Sequence, residues 1–421
     1  MNHVRAFQEE GSGRGSLQIN VTSSVNSYPV EGAEISISYT GVPQDTLEQL
    51  TTDSSGQTET VELAAPPEEW SLEEQNERQP YSEYTLDISA PGFEPVSISG
   101  AEIFSNTKAV QNVRLRPSDA PSEEEEVFVI PAHTLYAEYP PKISEDEIKP
   151  ITETGEIVLS RVVIPEYIVV HDGSPRDSTA TDYYVKYKDY IKNVASSEIY
   201  ATWPDAAIRA NILAIMSFTL NRVYTEWYRN RGFNFTITSS TAFDQKWIPE
   251  RNVFESISAI VDEIFSDYLS RPNVRQPILT QYCDGRRVSC PGWMTQWGSK
   301  ALADEGLSTI EILRYFYGDD IYINSAQEIS GIPSSWPGYT LEQGASGDKV
   351  RQMQEQLNVI AGAYPAIPKI AADGIYGPAT AASVEVFQSV FGLPVTGTVD
   401  YRTWYKISEI YVGVSRIAEL T

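Results

Sequence analysis

Residues 193–218 read "NVASSEIYATWPDAAIRANILAIMSF", and this stretch sets the character of the middle of the chain. Pro204 suits a first helical position. From there Ile208, Ile212, Ile215, Thr219, Val223 and Trp227 recur at three- and four-residue intervals, which predicts a long helix with a core-facing side. "RNRGF" at 229–233 is expected to end it, with Gly232 as the stop. Glu198 stands just ahead of this helix, between two serines and "IYATW". A carboxylate there is either a solvated charge at a helix end or an acid set into an apolar pocket.

The pattern stays helical from about 164 to 330. "VFESISAIVDEIFSDYLS" at 253–270 predicts a second helix with Ile257, Ile260, Ile264 and Tyr268 on one side, and "STIEILRYFYG" at 308–318 a third. Residues 16–116 read differently. Leu17, Ile19 and Val21 alternate with polar residues, as do Ile35, Ile37 and Tyr39, Val61 and Leu63, Leu86 and Ile88, and Val113 and Leu115. Turn signals at "DSSGQ" and "APGF" separate these runs, so a β-sandwich is expected. "RPSDAPSEEEEVF" at 116–128 is a linker by composition, and the Pro-rich acidic stretch to about 163 is too poor in periodic apolar residues for a domain. Its tyrosines place it along a surface.

The last eighty or so residues predict a compact three-helix unit. Val350, Met353, Gln354 and Leu357 form one stripe, and Val384, Phe387 and Phe391 another. Pro378 opens the second helix, and Asp400 is suited to cap a third that carries Trp404 and Ile407. The expected organisation is therefore multidomain: an all-β sandwich over 1–116, an acidic segment over 117–163, an α+β domain over 164–335 and a three-helix domain over 336–421.

The chain of 421 residues carries a net charge of −27, distributed unevenly. Residues 1–150 hold 27 acidic and 8 basic side chains, a net of −19. Such a balance repels phosphate backbones, so no nucleic-acid partner is expected. No run approaches the roughly eighteen apolar residues of a membrane span, and "MNHVRAFQEEGSGRGS" at the start shows no apolar core of a secretory signal. Cys283 and Cys290, the two cysteines, either close a small hairpin disulfide or stay as thiols. The three histidines, His3, His133 and His171, lie far upstream of them, so neither a metal nor a cofactor is expected.

Three resemblances follow. "GAEISISYTG" with "LTTDSSGQTETVEL" and "YTLDISAPGFEPVSI" resembles the transthyretin-type, carboxypeptidase regulatory-like sandwich, an accessory module. "LEQGASGDKVRQMQEQLN" and "DGIYGPATAASVEVFQSVFGLPVTGTVDYRTW", over about 339–412, resemble the peptidoglycan-binding domain type 1. "YIKNVASSEIYATWPDAAIRANILAIMSFTLNR", "SSTAFDQKW" and "MTQWGSKALADEGLSTIEILRYFYG" resemble, in order, the blocks of the stage II sporulation protein D (SpoIID) family of lytic transglycosylases. Family members can hold zinc with a His and a Cys near the second block; this chain has no His there. The whole arrangement is similar to the clostridial spore cortex-lytic enzymes of the SleC type.

The resemblance implies a SpoIID-like catalytic domain with Glu198 as the catalytic acid. It places Tyr200, Thr241, Gln245 and Gln296 at glycan-binding positions and Asp244 in support. Ile199, Tyr200 and Trp203 can raise the acid's pKa, and Ala195, Ser196 and Ser197 leave room for a sugar. It further implies a proenzyme that degrades spore cortex peptidoglycan in germination, activated by a subtilisin-like germination protease. The cut is expected between Ile151 and Ile164, with the strip around Tyr136–Pro141 lying over the cleft. The expected location is the cortex/coat boundary of the spore, reached from the mother cell without a classical signal. A muramidase, an amidase or a non-catalytic wall-binding protein are the alternatives. Glu226 is expected to pair with Arg222 or Arg229, and His171 to be structural.

Overall fold

The computed structural model describes residues 13–118, 125–137, 139–149, 159, 161–331 and 336–415. β1 (Gly13–Ser23), β2 (Glu34–Tyr39), β3 (Thr46–Thr51), β4 (Val61–Ala65), the single turn α1 (Glu69–Leu72), β5 (Ser82–Ser89), β6 (Val96–Ile103) and β7 (Lys108–Leu115) come first. The period-two alternation does its expected work: Leu17, Ile19 and Val21 of β1 and Ile35 and Ile37 of β2 are buried, and their neighbours face outward. β1 lies antiparallel to β4 and parallel to β7. β2 is antiparallel to β3 and β5, and β5 to β6. The two sheets share one core that includes Tyr84, Leu86 and Ile98.

Each sheet also gains a strand from outside 13–115. β8 (Glu126–Val129), within the stretch expected to be linker, pairs parallel with β6. Its composition is linker-like, but an open strand edge accepts any extended neighbour. The second addition comes from the central region.

That region contains β9 (Val163–Ile164), β10 (Tyr167–His171), β11 (Asp182–Lys186), α2 (Tyr187–Glu198), α3 (Asp205–Tyr224), β12 (Ile237–Thr238), β13 (Val253–Phe254), α4 (Glu255–Ile264), β14 (Asp267–Ser270), β15 (Tyr282–Cys283), β16 (Met294–Thr295), α5 (Gln296–Asp304), α6 (Thr309–Tyr317), β17 (Tyr322–Ser325) and β18 (Glu328–Ile329). α3 is apolar on nearly every side and buried along almost its whole length, which makes it the axis around which α2, α4, α5, α6 and β14 pack. α6 opens with a capping box, Ser308 with Glu311, and closes at Gly318. β13 pairs antiparallel with β7 and so extends a sheet of the sandwich. Beside it the buried Arg251 and Glu102 pair at 2.5 Å, while the Asn252 amide bonds both the N–H and the C=O of Glu102.

Two helix boundaries differ from expectation. α3 stops at Tyr224 rather than near Gly232, because Glu226 takes a left-handed backbone (φ 45°) and the Trp227 N–H turns back to the Arg222 carbonyl. Only a short 3-10 turn, Arg229–Arg231, precedes Gly232, so Trp227 leaves the helical stripe. The second helix ends at Ile264, and Tyr268 lies instead on β14, paired with β17. A short apolar run fits either period, and pairing over long range decides.

The C-terminal unit is α7 (Asp348–Ala363), α8 (Pro378–Val390) and α9 (Tyr401–Ser415) around Val350, Met353, Leu357, Val384, Phe387 and Trp404. Pro378 opens α8, and the Asp400 carboxylate accepts the Thr403 N–H at 2.8 Å as the expected cap. α9 also docks on the central region. Phe265 packs on Tyr401 and Tyr405, the Tyr401 hydroxyl meets Ser266, and Lys188 pairs with Glu409.

Candidate active site

Glu198 is the last residue of α2 and is completely buried. Its Oε1 accepts the backbone N–H of Lys246 at 2.7 Å, and its Oε2 accepts the Tyr282 hydroxyl at 2.5 Å. Two of the three quoted blocks meet here, the end of α2 and the loop after β12, while the third begins at Met294, which pairs with Tyr282 across β15 and β16. Behind Tyr282 a relay continues inward. The Gln245 amide donates to the Tyr282 hydroxyl and to the Ile215 carbonyl, while its oxygen accepts from Tyr190 and Thr219.

Burial pushes the Glu198 carboxyl above its ordinary value, and the Lys142 ammonium, the Tyr282 hydroxyl and the Lys246 N–H oppose it. The carbonyl end of α2 acts in the same direction as burial, since the negative end of a helix disfavours an anion. Two other acids lie in the neighbourhood, and both are committed. Asp244 accepts from Arg222, Tyr228 and both the N–H and hydroxyl of Thr238; Asp284 accepts the N–H groups of Arg287 and Val288.

Residues 133–137 and 139–149 form a strap across this site. Thr134 donates its hydroxyl to the Ser197 carbonyl at 2.8 Å, and His133 packs on Tyr200 with ring centres 4.7 Å apart. Tyr139 is buried against the Cys283–Cys290 disulfide, and the Arg287 guanidinium holds the carbonyls of Leu135 and Tyr136. Lys142 donates to the Asp244 carbonyl and rests 4.1 Å from the centre of the Tyr282 ring. Ile143 then bonds Ala242, Gln281 bonds both Ile143 and Glu145, and the Leu279 N–H donates to Glu147. The expected strip over the site is present and runs further than Pro141. Residues 151–158 and 160, most of the expected cut region, lie outside the described residues.

The remaining expected positions divide. Tyr200 is buried among Phe104, His133, Trp203 and Trp297. Thr241 is buried beside Ala242, whose carbonyl the strap uses. Gln245 is one layer behind Glu198, bonded wholly to protein. Gln296 is buried at the start of α5, and neither amide atom has a hydrogen-bond partner. Glu226 pairs with Arg229 at the surface. His171 bonds Asp182 at 2.7 Å and stacks on Phe235. Cys283 and Cys290 form the hairpin disulfide that sequence left open. Among the described residues no three His, Cys, Asp or Glu side chains gather into a set that could hold a metal ion.

Sequence reasoning missed Tyr282 and Lys142. Tyr282 stood next to a noted cysteine, but its contact spans 84 residues of chain. Lys142 sits in a segment with no periodicity to read.

Residues 346–407 match a family model described as "Putative peptidoglycan binding domain". Over 77 residues the chain is 43% identical to the zinc D-Ala-D-Ala carboxypeptidase of Streptomyces albus G, a stretch that is 18% of this chain and 28% of that protein. The chain thus spans less than a third of the curated relative it matches. Among solved structures, the SleB N-terminal domain is 27% identical, with 99% of it covered by 18% of this chain at a TM-score of 0.16. The 5-hydroxyisourate hydrolase of Klebsiella pneumoniae is 20% identical over 24% of this chain and 91% of that one, at a TM-score of 0.17. Neither superposition, at such scores, bears on function. The matched residues lie in the C-terminal three-helix unit.

Proposed function

We propose that this chain is the precursor of a peptidoglycan lytic transglycosylase of the spore cortex, with Glu198 as its acid and base. One observation carries the reading: at this site one buried carboxyl is raised by its setting, while Asp244 is held by Arg222, Tyr228 and Thr238 and Asp284 by the backbone N–H groups of Arg287 and Val288. A two-carboxylate glycosidase needs a second free acid across the bond. A lytic transglycosylase needs one, because the substrate supplies the nucleophile. Glu198 gives its proton to the glycosidic oxygen as the C1–O bond breaks. The carboxylate then takes the proton of the muramic acid 6-hydroxyl, whose oxygen closes onto C1 as a 1,6-anhydro ring. The Tyr282 hydroxyl and the Lys246 N–H fix the carboxyl's plane throughout.

The strap supports the precursor part of the reading. With the strap in place Glu198 is completely buried, so no glycan reaches it, and the strap's Lys142 ammonium favours the carboxylate over the acid. Removing the strap opens the cleft and takes away the Lys142 ammonium that favours the carboxylate. A germination protease cutting between Ile151 and Ile164 is the proposed trigger, acting on protein deposited by the mother cell at the cortex/coat boundary. The C-terminal unit would hold the enzyme on its polymer.

The test compares the intact chain with chain cut within 151–158 and depleted of the strap, on decoated spores. Release of cortex fragments by the cut chain alone is expected. Equal activity of the two would remove the precursor reading, and no release by either would remove the enzymatic one.

A further inference from the structure

Two arginines of the central region hold the strap by its carboxylates. Arg222 is fully buried, and its guanidinium is divided between two carboxylates, with Nη2 also donating to the Phe243 carbonyl at 3.2 Å. The Nε edge belongs to the domain's own Asp244 at 2.7 Å. The other edge grips strap Glu145 with two bonds, Nη1 to Oε2 at 3.0 Å and Nη2 to Oε1 at 2.6 Å. Arg271 repeats the pattern on strap Glu147, with Nε to Oε1 and Nη2 to Oε2 both at 2.8 Å. Its remaining edge is kept by Asp320 and the Tyr317 carbonyl. Each arginine therefore has one edge anchored by its own domain and one planar fork given to the strap. Such forks select carboxylates by geometry as well as charge.

The two forks lie along one path. The strap runs out from Lys142, over Tyr282, past Gln281 at Ile143 and Glu145, past Leu279 at Glu147, and on to Gln276 at Lys149. Glu145 and Glu147 are two apart in this segment, hence roughly 7 Å apart if it is extended. Lys149, which also pairs with Glu145, belongs to the strap and leaves with it. Without the strap, Arg222 would keep a buried, half-satisfied guanidinium, a costly state in a protein interior. Asp244 stays as its counter-ion, and the fork that held Glu145 is left for a second carboxylate from outside.

We propose that the Arg222 and Arg271 forks are carboxylate-binding subsites for the glycan strand, and that Glu145 and Glu147 occupy them as stand-ins for substrate. The inference rests on the proposed reading in taking peptidoglycan as the cleft's ligand. Two sources on that polymer carry the chemistry: the lactyl carboxylate of muramic acid where the peptide is absent, and the carboxylates of the peptide stem where it is present. A neutral polymer of N-acetylglucosamine carries neither.

The experiment uses the full chain with protease sites placed in 119–124 and 151–158, cut at both and freed of the strap fragment. A fluorescent peptide of sequence 139–149 is bound to it and then displaced by soluble strands. Four competitors are compared: peptide-bearing and peptide-free strands, each with carboxyls free or amidated. Free-carboxyl strands of at least one kind should displace the peptide at concentrations tenfold or more below their amidated counterparts, and the kind that does so names the source. A labelled peptide carrying Glu145→Gln and Glu147→Gln should bind at least tenfold more weakly. Equal potency of free and amidated strands would overturn the proposal, as would a strap peptide that fails to bind. Carboxyl-dependent displacement without any strand cleavage would sink the proposed reaction and leave this inference standing.

Discussion

The Tyr282 hydroxyl donates to Glu198 Oε2 at 2.5 Å, and its ring lies under the Lys142 ammonium at 4.1 Å. One side chain thus contacts both the candidate acid and the strap cation that opposes its protonation. Tyr282→Phe removes the hydrogen bond and keeps the ring. A bond to the charged form favours that form, so its loss should raise the Glu198 pKa further. In strap-free chain the basic limb of the pH–rate profile should move upward, with turnover reduced roughly tenfold, the low end of general acid–base effects. A profile identical to wild type would mean that Tyr282 does not touch the working acid.

Glu198→Gln should cut strand cleavage by roughly 10²–10⁴-fold in strap-free chain. It should also change stability in a pH-dependent way. The folded pKa of Glu198 lies above its unfolded value, mainly through burial. Its contribution is therefore fully present below the ordinary carboxyl range and is lost as pH rises through the raised folded value. Gln keeps the neutral form at every pH. The Tm of the variant relative to wild type should climb as pH rises above the ordinary carboxyl range. A constant difference would argue against a raised pKa.

The site was legible in part, and the division has a physical basis. Glu198 was visible because its surroundings are local: helix end, small residues, then aromatic residues within five positions. The family resemblance puts Gln245 at a glycan-binding position. In the fold its four hydrogen bonds are all to protein: it accepts from Tyr190 and Thr219 and donates to the Ile215 carbonyl and the Tyr282 hydroxyl. Strand β13 left no periodic trace, since two residues suffice when β7 supplies the partner edge. The strap's bonds join residues up to 152 apart, a range no window of sequence can reach.

The sandwich and central region should prove energetically coupled through Arg251. Its guanidinium bonds Glu102 at 2.5 Å and the Ser196 carbonyl at 2.6 Å, two residues before Glu198. Arg251→Ala leaves the buried Glu102 carboxyl without its cation. A loss of about 3–5 kcal/mol is expected in urea unfolding. A change below about 1 kcal/mol would show that the interface does not depend on the pair.

The Cys283–Cys290 disulfide closes the short loop that carries Arg287, the residue holding the strap carbonyls of Leu135 and Tyr136. Cys283→Ser with Cys290→Ser should cost roughly 2–3 kcal/mol, the loop-entropy scale for so small a ring. Hydrogen exchange at 135–137 should rise with it. Unchanged protection there would separate the loop from the strap.

The central claim is that one carboxyl, Glu198, breaks the glycan with the substrate's own 6-hydroxyl as nucleophile. Mass spectrometry of purified cortex glycan digested by strap-free chain tests it most directly. The account predicts fragments ending in 1,6-anhydro-muramic acid, absent from digests by the Glu198→Gln chain. Fragments with reducing ends, each heavier by one water, would contradict it and assign the cleavage to a hydrolase.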